Sequence, residues 1–281
     1  MNQNDVKAGY WVHHKEGEGP KIDAKLFTHL FRGYVDFESQ SYQVTFLDQD
    51  TFKKFSSTVK RSNLNLKTLL SIRVEHEKAE SFATPILVPP SSISPLRQQK
   101  EALIYSGFAN LRHQKHDFQY PIDAIQKSVD WVNLICYDYY TPTNCITETA
   151  PSSAFSHSAT VIPCASTDIK ELIGSGLAAE KIVLGIPFYG WAWRLKDPKP
   201  NRVFSATQGA AEGPDISGDG RVDYLNVKKF VDSHGCCIKN SSMNWVVEYA
   251  NFDVTWIAYN GEGPIVSKIF KAKNNFSGLR G

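Results

Sequence analysis

Side chains able to bind a metal, pass a proton or attack an electrophile are spread along this chain, mostly without the neighbours such chemistry needs. Histidines stand as His13-His14, as His76 between Glu75 and Glu77, and as His113 with His116. Sets like these can hold a divalent cation, but ligands need supporting hydrogen bonds behind them. Here the first pair lies in a Glu/Gly/Lys loop, and the run Glu75 to Lys78 reads as a solvated turn. No metal and no cofactor is expected. The five cysteines (Cys136, Cys145, Cys164, Cys236, Cys237) form no C-x-x-C pair, which argues against zinc. Their odd number leaves at least one thiol unpaired, and the adjacent Cys236-Cys237 read as free thiols. Among carboxylates, Asp48-Gln49-Asp50 runs on to Phe52 rather than to a glutamate and precedes a helix, so it reads as surface loop. Glu148 is the only carboxylate in the loop from Thr141 to Ser158 and reads as solvated.

The elements available to position a site are short apolar runs separated by helical patterns. Val6 to Trp11, Phe27 to Phe37, Lys67 to Val74, Ala102 to Phe108, Trp131 to Tyr137 and Lys181 to Ile186 read as strands. Most are apolar on consecutive residues, the pattern of parallel strands buried on both faces. Between them, Phe52, Phe55 and Val59 place one apolar face on a helix over Asp50 to Ser62. Asp168 and Glu171 predict a capping box opening a helix that closes at Gly174 or Gly176. Tyr224 to Gly235 predicts a helix with Val227, Phe230 and Val231 inward, and Pro264 to Ala272 one with Ile265, Ile269 and Ala272 inward. Strand alternating with helix predicts an α/β protein with a parallel sheet. The stretch between Ile186 and the chain end is too long for one crossover, so an inserted α+β subdomain is expected within it. Pro85, Pro89, Pro90 and Pro95 crowd one segment between Val74 and Ala102, which cannot be helical and reads as loop.

Composition narrows the function classes. The 281 residues are 42% hydrophobic and 21% charged, with 31 Lys+Arg against 29 Asp+Glu. A net charge of +2 without a basic block gives no support to nucleic-acid or membrane-surface binding. No apolar run approaches the ~18 residues of a membrane span. Met1 to Asp5 shows neither a basic nor an apolar leader segment.

Taken in order, the strand segments resemble the glycoside hydrolase family 18 chitinases, most closely the plant class V type. The matching pieces are AGYW, FTHLF with Tyr34-Val35-Asp36, KTLLSI, WVNLICYDYY, LGIPFYGWAW, TWIAYN and GLRG. The resemblance implies a (β/α)8 TIM-type barrel over residues 1–281, with a small α+β insertion at about 194–262. It also implies a site at the C-terminal ends of the strands. By residue match, Tyr10, Tyr34, Tyr137, Asp138 and Tyr189 take pocket positions of the family, although Tyr34 stands where the family usually has Phe. Tyr137 and Asp138 would hydrogen-bond a sugar acetamide, and the aromatic rings would stack on sugar faces. Trp191 and Trp193 would extend the groove, with Trp193 the stronger candidate for contact. A plainer reading stands beside each assignment: a leftover buried polar pair for Tyr137-Asp138, core filling for Tyr10 and Tyr34, and packing against the subdomain for the tryptophans.

The same resemblance marks what the chain lacks. In the family, the Glu of an Asp-x-Asp-x-Glu run at the end of the fourth strand protonates the glycosidic oxygen while the substrate's own acetamide attacks, an exception to the two-carboxylate scheme. No D-x-D-x-E occurs in these residues. The fourth strand is expected to be missing at the proline-rich segment and the eighth to be cut short at Gly281, leaving an incomplete barrel. No catalytic residue is therefore assigned. The implied protein is chitinase-like, without hydrolase activity, with chitin or N-acetylglucosamine oligosaccharides as partner. It is expected to be a monomer that binds neither nucleic acid nor membrane. Competing readings are an active chitinase whose catalytic exon is absent from this chain, and a chitin-binding lectin or decoy. The family is mainly extracellular or vacuolar, whereas the leaderless N-terminus implies the cytoplasm.

Overall fold

A computed structural model describes residues 6–12, 22–38, 43–45, 49–73, 106–109, 122–128, 130–156, 163–236, 238–240, 245–276 and 279. The chain, expected as one domain over 1–281, divides into two compact units. One comprises residues 1–106, 119–131 and 280–281, and the other residues 107–118 and 132–279.

In the first unit, strands β1 (Ala8–Val12), β2 (His29–Glu38) and β4 (Lys67–Arg73) run parallel with β2 in the middle, and β3 (Gln43–Thr45) pairs antiparallel with the end of β2. Helix α1 (Gln49–Lys60) buries the face read from its periodicity. Phe55 and Val59 pack with Ala24, Leu30 and Leu66, and Phe52 lies against the cluster's edge. His29 is buried at the start of β2, its Nδ1 2.8 Å from the Thr28 hydroxyl and its ring edge-on to Trp131. Burial, aided by nearby Lys67, lowers its pKa to about 4. Helix α2 (Ile122–Ser128) also belongs to this unit.

The second unit holds most of a three-stranded sheet ordered β5 (Ser106–Ala109), β6 (Trp131–Leu134), β7 (Ile182–Leu184), with β6 and β7 parallel. All four β6 residues are buried, as expected of a strand covered on both faces. Helix α3 (Ala165–Gly174) begins earlier than its sequence signature suggests. Its N-cap is Cys164, so Asp168 lies inside the helix and does not open a capping box. Asp168 is instead buried and accepts the Tyr139 hydroxyl at 2.5 Å. The helix closes on Gly176, whose φ of +101° lets the Gly176 and Leu177 amides reach back to the Ile173 and Leu172 carbonyls.

The remainder of this unit is an antiparallel sheet ordered β10 (Arg221–Asp223), β8 (Tyr189–Leu195), β13 (Thr255–Tyr259), β12 (Glu248–Phe252), β11 (Lys239–Asn240), with β9 (Thr207–Ala210) also on β8. It starts at Tyr189, before the boundary near 194 read from the sequence. Helix α4 (Tyr224–His234) covers one face, packing Val227 and Val231 onto Ala192, Val222, Ile257 and Tyr259, and ends on left-handed Gly235 as expected. The other face carries Trp191, Trp193, Trp256 and Ala258.

Helix α5 (Glu262–Asn275) turns a different stripe inward from the one expected. Pro264, Lys268 and Ala272 are buried, while Ile265 and Ile269 are only half-buried at its flank. The Lys268 ammonium explains the rotation, because it donates to the Ser153 carbonyl (2.5 Å), the Ser153 hydroxyl (3.1 Å) and Asn260 Oδ1 (2.5 Å). Burial lowers its pKa to about 7.

Residues 74–105, where the fourth strand is expected to be missing, and 280–281, at the shortened eighth strand, lie outside the described residues. So do His13, His14, His76, His113 and His116. Among the described residues, no three His, Cys, Asp or Glu side chains gather into a metal set, and no helix is long and apolar enough to cross a membrane.

Candidate functional site

The apolar run of β6 continues past Leu134 as extended chain, and the first polar residues it meets are Tyr137 and Asp138. Their position depends on Gly185, just after β7. Its amide donates to the Leu134 carbonyl at 2.9 Å, and a Cβ there would stand 2.5 Å from that oxygen and 3.0 Å from the Tyr137 ring. Asp138 then adopts φ +59°, a left-handed conformation that aspartate tolerates better than most residues. Such a backbone persists only where its surroundings hold it.

Those surroundings come from β8. The Tyr189 hydroxyl donates to Asp138 Oδ2 at 2.6 Å, and Trp191 Nε1 donates to Oδ1 at 2.8 Å. Strand alternation places residues 189 and 191 on the same face, so two successive positions on one face of β8 hold the two carboxylate oxygens. The Tyr137 ring stands edge-on to Tyr189 at 6.1 Å, and Tyr189 edge-on to Trp191 at 5.9 Å. Burial, the Asp138 charge and the hydrogen bond to it all raise the Tyr189 pKa, so its hydroxyl stays protonated as a donor. The result is an aromatic wall around one oriented carboxylate, with Tyr137, Asp138 and Tyr189 half-buried and Trp191 buried; its half-buried members can stack on an apolar ring face and accept from a ligand's N–H or O–H.

Of the residues expected at the site, the structure brings together Tyr137, Asp138 and Tyr189. Trp193 is a correction: it is 0% exposed, donates from Nε1 to the Cys145 carbonyl and packs edge-on to Trp256. A ring enclosed on all sides offers no surface to a sugar, and the reading of Trp193 as packing within the subdomain is the one observed. Tyr10, in the first unit, stacks on Phe31 at 4.6 Å and remains half-buried. Tyr34 lies on β2 at the register irregularity between Arg32 and Val35, with its side chain outside the described residues. Glu148 is exposed and makes an isolated bridge with Ala206, in keeping with a solvated loop residue.

Two participants escape the sequence reading. Trp191 is readable as a groove aromatic but not as a donor to Asp138, because its partner lies 53 residues away. Arg221 holds its guanidinium carbon 4.1 Å from the Tyr189 ring centre. Only the β10–β8 register, which sets Arg221 opposite Trp191, discloses it.

Beneath the wall lies a buried polar layer. Cys136 is fully enclosed, and burial and Asp168 push its thiol far above the ordinary range. Tyr139 is raised in the same way, first by burial and then by Cys136 and Asp168. These groups are protonated and inert at neutral pH, a structural floor rather than reactive chemistry.

Comparison with known proteins gives the family and the fold. The family model of Glycosyl hydrolases family 18 matches residues 91–280. A class V chitinase from Arabidopsis thaliana is 31% identical over 323 aligned positions, covering 97% of this chain and 83% of the relative. A mutant class V chitinase from Nicotiana tobaccum, solved in complex with NAG4, superposes with a TM-score of 0.85 at 23% identity, covering 98% of this chain and 92% of that one. The chitinase-like agglutinin RobpsCRA from Robinia pseudoacacia superposes with a TM-score of 0.78 at 26% identity, covering 98% and 92%. The fold is the (β/α)8 TIM barrel of these chitinases, and the chain belongs to glycoside hydrolase family 18 as a chitinase-like protein.

Proposed function

We propose that this protein binds N-acetylglucosamine oligosaccharides through the Tyr137-Asp138-Tyr189-Trp191 wall and does not hydrolyse them. The observation that carries the reading is a pairing of presence and absence. The acceptor carboxylate is held by two donors, while no D-x-D-x-E occurs in the sequence. A positioned general acid contributes about 10²–10⁴ to such a reaction, and protonation of the leaving oxygen has no assigned donor here. The aromatic wall needs no acid to work, because stacking and a hydrogen bond to an acetamide are binding interactions. The agglutinin relative gives the reading a precedent within the same fold.

A barrel lacking its fourth strand is part of the proposal. The alignment with the Arabidopsis relative runs over 323 positions against 281 residues in this chain, so it includes at least 42 positions with no counterpart here. Residues 74–105, between β4 and β5, carry the four clustered prolines. The same excess favours a second reading, in which a longer transcript encodes an active chitinase containing the absent segment. Sequencing transcripts across the codons for Pro85 to Pro95 separates the two: an exon encoding D-x-D-x-E there supports the second.

Calorimetry with the N-acetylglucosamine tetramer tests binding. Heat of binding in the wild type, abolished in Tyr137→Ala, supports the proposal; absence of binding in the wild type overturns it.

A further inference from the structure

We propose that Tyr139 is a positioning residue of the saccharide wall, whose hydroxyl, held by the buried Asp168 carboxyl group, fixes the left-handed turn that presents Asp138. This rests on the saccharide-binding reading of the wall and names a contact beneath it that sets the affinity.

The turn at Asp138 separates its two neighbours. Tyr137 stands half-buried in the wall, edge-on to Tyr189, whereas Tyr139 is buried below. A residue at φ +59° keeps that backbone only while both of its flanks are held. On one flank the hold is the close approach of Gly185 to Leu134. On the other it is Tyr139.

Tyr139 is fastened at three groups. Its amide donates to the Ser152 carbonyl at 3.0 Å, its hydroxyl donates to Asp168 Oδ2 at 2.5 Å, and its carbonyl accepts from Asn144 Nδ2 at 3.5 Å. Ser152 and Asp168 belong to one support. The Ala165 and Ser166 amides at the start of α3 donate to the Ala154 and Phe155 carbonyls, and Lys268 grips Ser153 in the same segment. The backbone of Tyr139 and the far end of its ring are therefore anchored to the same body.

A single hydrogen bond acts as a hinge. The second, at the tip of the ring, removes the rotation through which Asp138 would relax to an ordinary backbone conformation. Tyr139 is 7% and Asp168 1% exposed, so water does not replace the bond between them. A relaxed turn withdraws Asp138 from the Tyr189 hydroxyl and the Trp191 indole that orient it, and the wall loses its oriented acceptor.

The test is calorimetry with the N-acetylglucosamine tetramer, together with the indole N–H resonance of Trp191, on wild type, Tyr139→Phe, and Tyr139→Phe combined with Asp168→Leu. The double variant replaces both buried partners by apolar groups of similar shape, which keeps the fold where the single variant leaves a carboxyl group short of a donor. Both variants should bind the tetramer about tenfold more weakly than the wild type. In both, the Trp191 resonance should move upfield without ligand as its bond to Asp138 loosens, a signature that a role confined to stability would not produce. Either variant, folded and binding with wild-type affinity, overturns this proposal and leaves saccharide binding intact. Weakened binding with an unmoved Trp191 resonance does the same. A double variant that does not fold makes the pair a requirement of the fold rather than a positioning contact, and also overturns it. A wild type that does not bind the tetramer overturns the saccharide-binding reading itself.

Discussion

Tyr189 and Asp138, 51 residues apart in sequence, are joined by a 2.6 Å hydrogen bond from the phenol to the carboxylate. Trp191 donates to the second oxygen of the same carboxylate, so one strand fixes both the position and the rotation of Asp138. The arrangement predicts that Asp138→Asn costs about 1–3 kcal/mol of stability, because an amide offers only one acceptor oxygen to two donors. Asparagine tolerates the same left-handed backbone, so the loss reports hydrogen bonding rather than strain. Urea denaturation of the two proteins at neutral pH measures it.

Trp193 and Tyr137 should separate stability from binding. Trp193→Phe removes the donor to the Cys145 carbonyl and part of a fully buried ring, with an expected loss of about 1–3 kcal/mol and no change in saccharide affinity. Tyr137→Ala, at a half-exposed position, should lose saccharide affinity at a smaller cost in stability. Melting temperatures and calorimetry on both variants check the pair together.

Lys268 sets a pH dependence. Its pKa falls from 10.5 in the unfolded chain to about 7 in the fold. Between those values the unfolded state holds more protons, so this residue makes stability rise with pH from about 7 toward 10.5. Cys136, Tyr139 and Tyr189 act in the opposite sense. Their raised pKa values keep them protonated in the fold, so stability falls once pH passes their ordinary values of about 9 and 10. Lys268→Met should remove the rising limb and keep the alkaline loss. It should also destabilise by about 1–3 kcal/mol, because Ser153 and Asn260 lose a buried donor. Denaturant midpoints across this pH range give both limbs.

Gly185→Ala tests whether the approach of β7 to β6 sets the wall. The new Cβ would meet the Leu134 carbonyl at 2.5 Å, so the backbone must shift just before Tyr137. A loss of about 1–3 kcal/mol and a weakened saccharide affinity are expected, read by thermal melting and calorimetry.

The sequence was informative where local pattern decides structure. Apolar runs marked β1, β2, β4, β6 and β7, and the spacing of Phe52, Phe55 and Val59 marked the buried face of α1. Family resemblance placed Tyr137, Asp138 and Tyr189 together, and the geometry supplied the bonds between them. Elsewhere the deciding interaction was distant. The Asp168–Glu171 pattern looks the same whether a helix starts there or one turn earlier, and only the buried bond from Tyr139 tells which. Nothing in the periodicity of α5 singles out Lys268, because its partner Ser153 lies 115 residues away. Arg221 belongs to the wall because of antiparallel register, which leaves no trace in the periodicity of a three-residue strand.

The central claim is binding without hydrolysis, and the most direct measurement follows the N-acetylglucosamine tetramer over time with the purified protein while binding is measured on the same sample. The account predicts saturable binding and an intact tetramer. Release of shorter sugars at a rate proportional to protein concentration would contradict it.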